Sequence, residues 1–403
     1  MTTLIIAARR GLNEIQQWSR RALFRRITIP IGLLTLGLLF PEAGAIMVET
    51  ISEAYLQVSV FVAATLTLIY GAERIFKFDM AGFLAGHPRL QVPIAAFLGA
   101  LPGCGGAIVV VTQYVNGHVG FGALIAVLTA TMGDAAFLLL AREPVTALIV
   151  FGLGMVVGTL GGYVLEAIHG RDFMRQQSLT SAEEAKRRVV SRRRPVSIRA
   201  LHPVWIALML PGVIFAIPIA MQLDPNTWFG ELAVYRPVTL LGFVGGVLAL
   251  LMWATYLSSD PHHQYTAANP NDLTATRPTT GSRVISDTNF VTVWVIAAFL
   301  LFELGVHFSG ADLASWFAVW APLTPLIAAL VGFLPGCGPQ IIVTTLYLSG
   351  AIPMSALFAN AISNDGDALF PAIALAPKAA IVATLYTGIP ALIVGYGAYF
   401  LLP

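Results

Sequence analysis

Gly99-Ala100-Leu101-Pro102-Gly103-Cys104-Gly105-Gly106 and Gly332-Phe333-Leu334-Pro335-Gly336-Cys337-Gly338-Pro339 decide the architecture of this chain. The same phrase, Pro-Gly-Cys-Gly, stands twice inside apolar sequence. Each copy is followed at equal distance by a Gly-Asp, at Gly133-Asp134 and Gly366-Asp367. Aligned without a gap, 99–137 and 332–370 are identical at about half their positions, among them Thr112/Thr345, Tyr114/Tyr347 and Phe137/Phe370. Proline removes a backbone donor and glycine admits turns that other residues resist, so each phrase interrupts a helix. A carboxylate duplicated within such sequence reads as a transport site at a repeat interface.

Composition sets the surroundings. The chain is 57% hydrophobic and 11% charged, with a mean hydropathy of +0.78; a soluble domain carries roughly 25% charged residues. Apolar runs near the ~20 residues that cross a bilayer recur along its length. An all-α, polytopic membrane protein is expected. Two cysteines exclude a disulfide scaffold and a CxxC metal or redox motif. There is no P-loop, so no visible ATPase drives transport. A secondary transporter or channel, rather than an enzyme, remains.

Residues 1–27 interleave Leu4, Ile5, Ile6, Leu12, Ile15, Trp18 and Leu23 with six arginines, the pattern of an interfacial amphipathic helix. A cleaved signal peptide is the competing reading, and the long basic lead argues against it. Apolar segments are predicted at 28–48, 53–73, 91–116, 119–141, 145–166, 203–221, 237–257, 289–308, 322–349, 354–376 and 379–401. Membrane repeat 1 (28–166) and membrane repeat 2 (237–403) thus flank a basic cytoplasmic loop and connector span at 167–236, and 258–288 reads as a polar loop.

If every segment crossed, the basic N-terminus and the basic stretch 167–201 would lie on opposite sides, against the positive-inside rule. If 91–116 and 322–349 are re-entrant hairpins instead, only Arg142 and Arg236 of 23 Lys and Arg lie outside. The hairpins then enter from opposite faces, which makes the halves inverted repeats with a cytoplasmic N-terminus. Nine full spans plus two hairpins is the resulting count. The run Lys186 to Arg194 reads as a topology determinant contacting anionic lipid, and no nucleic-acid partner is implied. Glycines 152, 154, 158, 161 and 162 read as a close helix-packing series.

The candidate site residues follow from the repeat. Pro102, Gly103, Gly105, Pro335, Gly336 and Gly338 shape the hairpin backbone and expose Cys104 and Cys337, which could ligate, pack as small hydrophobes, or form a disulfide. Asp134 and Asp367 are carboxylates inside spans, costly by about 2.5–3.5 kcal/mol each on insertion scales unless they face a partner or cavity. The second half adds Asn360, Asn364 and Asp365, where the first has Val127, Thr131 and Met132. Oxygen donors with one or two sulfurs suit a divalent transition metal such as Mn²⁺ or Fe²⁺. Thr112, Thr345 and Gln340 could hydrogen-bond to the ligands, and Glu303 is a candidate proton relay. No resident cofactor is expected; the metal is the transported substrate.

These paired motifs, with Asn364-Asp365-Gly366-Asp367, resemble the manganese transporter family, also described as ten-span heavy-metal exporters and related by name to arsenic permeases. The resemblance covers both repeats. It implies export of Mn²⁺ across the bacterial inner membrane; metal and direction come from the resemblance alone. The charge bias favours nine spans and two hairpins over ten spans. Movement of a dication out of the cell implies coupling to H⁺ or Na⁺, and a homodimer is left open. The alternatives are an arsenical or organic-anion efflux permease and, from another class, a membrane thiol oxidoreductase using Cys104 and Cys337.

Overall fold

The computed structural model describes residues 35, 40–76, 80–176, 201–255, 280–310, 313–317 and 321–401. The amphipathic stretch 1–27, the basic run at 186–194 and most of the 258–288 loop lie outside the described residues. Those described form helices and connecting turns, and they contain no strand.

The first helix, α1, runs from Pro41–Glu53 through a π-helical stretch, Ala54–Ser59, into Val60–Phe76 without interruption. This corrects the division into separate segments at 28–48 and 53–73. Glu49-Thr50-Ile51-Ser52-Glu53 is polar but holds neither proline nor glycine, so nothing breaks the helix. Its polar groups are used instead: Glu49 makes a bidentate ion pair with Arg236, at 2.6 and 2.7 Å, and Thr50 and Ser52 are buried.

After Met80–Gly86 (α2), the first hairpin is α3 (Pro88–Gly99) and α4 (Gly105–Val115), joined by the Pro-Gly-Cys-Gly tip. A broken helix follows, α5 (Phe121–Ala130) and α6 (Ala135–Arg142), bent by 40°. Then comes the long α7 (Pro144–His169). Helices α8 (His202–Ala220) and α9 (Pro237–Thr255) connect the halves. Helix α10 (Thr280–Ser309) pairs with α1. The sequence pattern then repeats in structure. The second hairpin is α11 (Thr324–Gly332) and α12 (Cys337–Leu348), the second broken helix α13 (Met354–Ser363) and α14 (Leu369–Leu375), and the final long helix α15 (Pro377–Leu401).

The pairwise packing repeats as well. Helix α3 lies on α5 and α7, as α11 lies on α13 and α15. Glycines allow these close approaches. A Cβ on Gly99 would strike the Val127 carbonyl of α5, and one on Gly332 would meet Ser363 and the Asn360 carbonyl of α13. Gly154, Gly158 and Gly162 press α7 onto α5, while Gly152 and Gly161 face open space, so only part of the predicted glycine series packs.

Six helices are long and apolar enough to cross a membrane, and the bent α5–α6 pair makes a seventh, among the described residues. The expected nine full spans are not reached among the described residues. Helix α1 joins the described part of the first predicted segment, from Pro41, to the second, and the α13–α14 pair is not among the helices long and apolar enough to cross. Helix α10 also begins at Thr280 rather than 289, because Asp287 and Asn289 are buried with partners on neighbouring helices.

The two hairpins meet opposite ends of α7. The base of the first lies at its C-terminal end, where Tyr114 donates to the Met174 carbonyl at 2.5 Å and Gly120 lies close to the Arg171 carbonyl. The base of the second lies at its N-terminal end, where Tyr347 donates to Glu143 at 3.0 Å. Between those ends run 26 residues of helix, about 39 Å at 1.5 Å per residue.

Candidate metal centre

The two tips converge. Helix α3 ends at Gly99, and the chain turns through Gly103 (φ 87°) before Cys104 opens α4. In the second copy the chain turns through Gly336 (φ 117°), and Cys337 is the first residue of α12. Both are left-handed conformations that glycine adopts without penalty. Each thiol is thereby delivered at the start of a helix, and the two sulfurs lie 3.4 Å apart as free, buried cysteines.

The broken helices deliver the carboxylates. Thr131 and Asn364 occupy equivalent extended positions, and each accepts the N–H of the glycine two residues on: Gly133 to Thr131 Oγ1 at 3.4 Å, Gly366 to Asn364 Oδ1 at 2.6 Å. Those glycines, with φ of 52° and 56°, turn the chain so that Asp134 and Asp367 point inward. A backbone bond, Gly103 N–H to Gly133 O at 3.1 Å, ties the first tip to the first break.

Cys104, Asp134, Cys337 and Asp367 each offer one donor atom, all within 4.8 Å of one another and all buried. Both thiols approach Asp367 Oδ2, at 3.0 Å for Cys337 and 3.6 Å for Cys104. The 3.4 Å between the sulfurs and the 3.6 Å from Cys104 to Asp367 match the edges of a tetrahedron with bonds of about 2.1–2.3 Å, and the 3.0 Å from Cys337 is shorter. Both oxygens of Asp134 and Oδ1 of Asp367 are buried without a hydrogen-bond partner. Leaving such atoms unpaired costs about 1–3 kcal/mol each, more for charged groups, a cost that a shared cation would relieve. Gln340 adds to the set: it is wholly buried, neither amide heteroatom has a partner, and a Cβ on Gly133 would lie 3.4 Å from its Oε1.

The other sequence candidates are placed as follows. Asp365 turns away from the cluster to accept from Thr384 at 2.5 Å and Thr387 at 3.4 Å. Asn360 donates to the Ala328 carbonyl of α11 at 2.9 Å, which joins the second hairpin to its broken helix. Thr112 and Thr345 are corrections to the expected hydrogen-bonding shell. Their hydroxyls bond the carbonyls of Ile108 and Ile341 one turn back on their own helices, a local bond threonine makes readily. Glu303 lies on α10 within electrostatic range of Glu53, outside the four-residue cluster. Thr131 was not singled out as a turn former, although its alignment with Asn364 carried that signal.

One family model matches residues 42–402, and its description is "Putative, 10TM heavy-metal exporter". No curated protein matches the chain, and no solved structure does. The protein is a multi-pass membrane protein, and it belongs to this heavy-metal exporter family.

Proposed function

We propose that the protein is a secondary exporter of divalent transition-metal ions, Mn²⁺ or Fe²⁺, working by alternating access in the bacterial inner membrane with its N-terminus cytoplasmic. The observation that carries this reading is the closed set of Cys104, Asp134, Cys337 and Asp367, drawn equally from the two halves and holding carboxylate oxygens without partners. Two carboxylates and two thiols offer anionic charge to a dication. Cys104, Asp134 and Cys337 stand at the starts of α4, α6 and α12, where helix dipoles favour the anionic form that binding a dication would draw out. The mix of hard oxygen and softer sulfur suits Mn²⁺ and Fe²⁺ and discriminates against Ca²⁺ and Mg²⁺.

Several contacts support an inverted-repeat mechanism. The hairpin bases sit at opposite ends of α7, and the site lies where their tips meet. Rocking of one half against the other would expose the site to either face in turn. Expelling a dication against a cell-negative potential costs about 4.6 kcal/mol per 100 mV, so inward movement of H⁺ or Na⁺ must drive it. An organic-anion substrate would face Asp134 and Asp367 as like charges. Trivalent arsenic would find only two thiols in the whole chain.

Elemental analysis of a bacterium lacking its own manganese exporter tests the proposal. Wild type should selectively lower cellular manganese or iron after a metal challenge, and Asp367→Asn should abolish the effect. A fall in arsenic alone would move the assignment to arsenicals. No change in any element, with protein present in the membrane, would overturn it.

A further inference from the structure

Besides the metal centre, one buried carboxylate has no role in the account so far. Asp287 lies on α10 and is 1% exposed. Its Oδ2 accepts the phenol proton of Tyr70 on α1 at 2.9 Å, while Oδ1 is buried without a partner. The Arg283 guanidinium, one helical turn earlier, rests over the Tyr70 ring at 4.2 Å from its centroid, and its Nε is also unpartnered. A purely structural carboxylate would have both oxygens satisfied. This one keeps an oxygen open beside a phenol.

Among the described residues, the other titratable side chains nearby in the fold are Arg74, one turn beyond Tyr70 on α1, and His202, which opens α8, the helix whose Trp205 donates to Asn289. The groups acting on Asp287 are Tyr70 from α1 and Arg283 from its own helix. Helices α9 and α14, which also pack on α10, carry no titratable side chain. In the first part of α1, Glu42 lies in the first turn, and Glu49 and Glu53 interact with Arg236 and Glu303. Tyr55, also on α1, abuts Gly245 of α9.

The helices that hold Asp287 also touch both tips. Thr65 of α1 packs on Gly105, and Phe299 of α10 packs on Gly336. A change in the α1–α10 contact therefore reaches the metal centre through van der Waals neighbours of the two hairpins.

Resting on the exporter reading above, we propose that Asp287, with Tyr70, is the proton-carrying site that couples metal export, distinct from the metal centre. A proton needs one carboxylate and leaves the adjacent Arg283 tolerable. A sodium ion would need several more oxygens and would face that guanidinium as a like charge.

The full-length protein in proteoliposomes, with Mn²⁺ as probe, tests this. Wild type should concentrate Mn²⁺ when the lumen is acidic and protons leave, but not under a Na⁺ gradient alone. Asp287→Asn should lose gradient-driven accumulation by at least about tenfold yet keep Mn²⁺-for-Mn²⁺ exchange at a comparable rate. Asp367→Asn should lose both. Asp287→Glu, which keeps the carboxylate, should restore accumulation with an altered pH profile. Full accumulation by Asp287→Asn, loss of its exchange as well, drive by Na⁺, or a pH profile unchanged in Asp287→Glu would each overturn the assignment. No Mn²⁺ movement by wild type would overturn the exporter reading itself, and the coupling site with it.

Discussion

Ser59 and Thr292 are hydrogen-bonded to each other at 2.6 Å across α1 and α10, and they stand 233 residues apart. Cys104 and Cys337, in contact at 3.4 Å, are separated by the same 233 residues. Repeat-equivalent residues touch one another only on or near an axis of approximate two-fold symmetry. Two such pairs, one in the supporting helices and one at the tips, are what the proposed inverted-repeat arrangement requires, with the candidate metal centre near its axis. Removing the Ser59–Thr292 bond should therefore loosen the frame without touching the ligands. Ser59→Ala should lower thermal stability by about 0.5–1.5 kcal/mol, read by melting of the purified protein, with metal affinity unchanged.

The carboxylates should separate by role. Asp134→Asn or Asp367→Asn should weaken Mn²⁺ binding by at least about 100-fold, since each removes an anionic donor. Asp365→Asn should retain binding, because its carboxylate is engaged by Thr384 and Thr387. Equilibrium dialysis of the purified variants gives the comparison.

Oxidation should close the site. With sulfurs 3.4 Å apart, a small approach brings them to the ~2.05 Å of a disulfide. Diamide, accepting the two thiol hydrogens, should abolish metal binding, and a thiol reductant should restore it. Cys104→Ser should be insensitive to diamide, which mass spectrometry of the intact protein can verify.

Close packing at the first tip should be intolerant. A Cβ on Gly106 would strike the backbone carbonyl of Leu98 in the opposite hairpin arm, and backbone has no rotamer by which to yield. Gly106→Ala should destabilise by about 1–3 kcal/mol and lower the yield of monodisperse protein on size exclusion. Gly152→Ala, where a Cβ meets nothing within 4 Å, should behave as wild type.

Gln340 should act on the ligands without replacing them. It is wholly buried with an unpartnered amide, so Gln340→Leu should weaken Mn²⁺ binding by about tenfold. That effect should be smaller than the loss at Asp134 or Asp367 in the same assay.

The tips and the carboxylates were legible because duplication marks them: the same phrase twice, at one spacing, in a chain with no other cysteine. The hairpins were legible from the placement of arginine and lysine. What escaped depended on tertiary partners. Glu49 and Ser52 fell in the gap between two predicted segments, and Arg236 and the helix packing take up their polarity. Asp287 looked like loop because the stretch before Val291 is polar, and only Tyr70, more than 200 residues away in sequence, explains its burial. Thr112 and Thr345 fell short for the opposite reason: a threonine inside a helix finds a carbonyl on its own helix before it finds a ligand.

X-ray absorption at the manganese edge of the purified, Mn²⁺-loaded protein tests the metal centre most directly. The account predicts one bound ion per chain with both sulfur and oxygen neighbours, the sulfur shell vanishing in Cys104→Ser/Cys337→Ser. An all-oxygen shell identical in wild type and the double variant, or no stoichiometric metal, would contradict it.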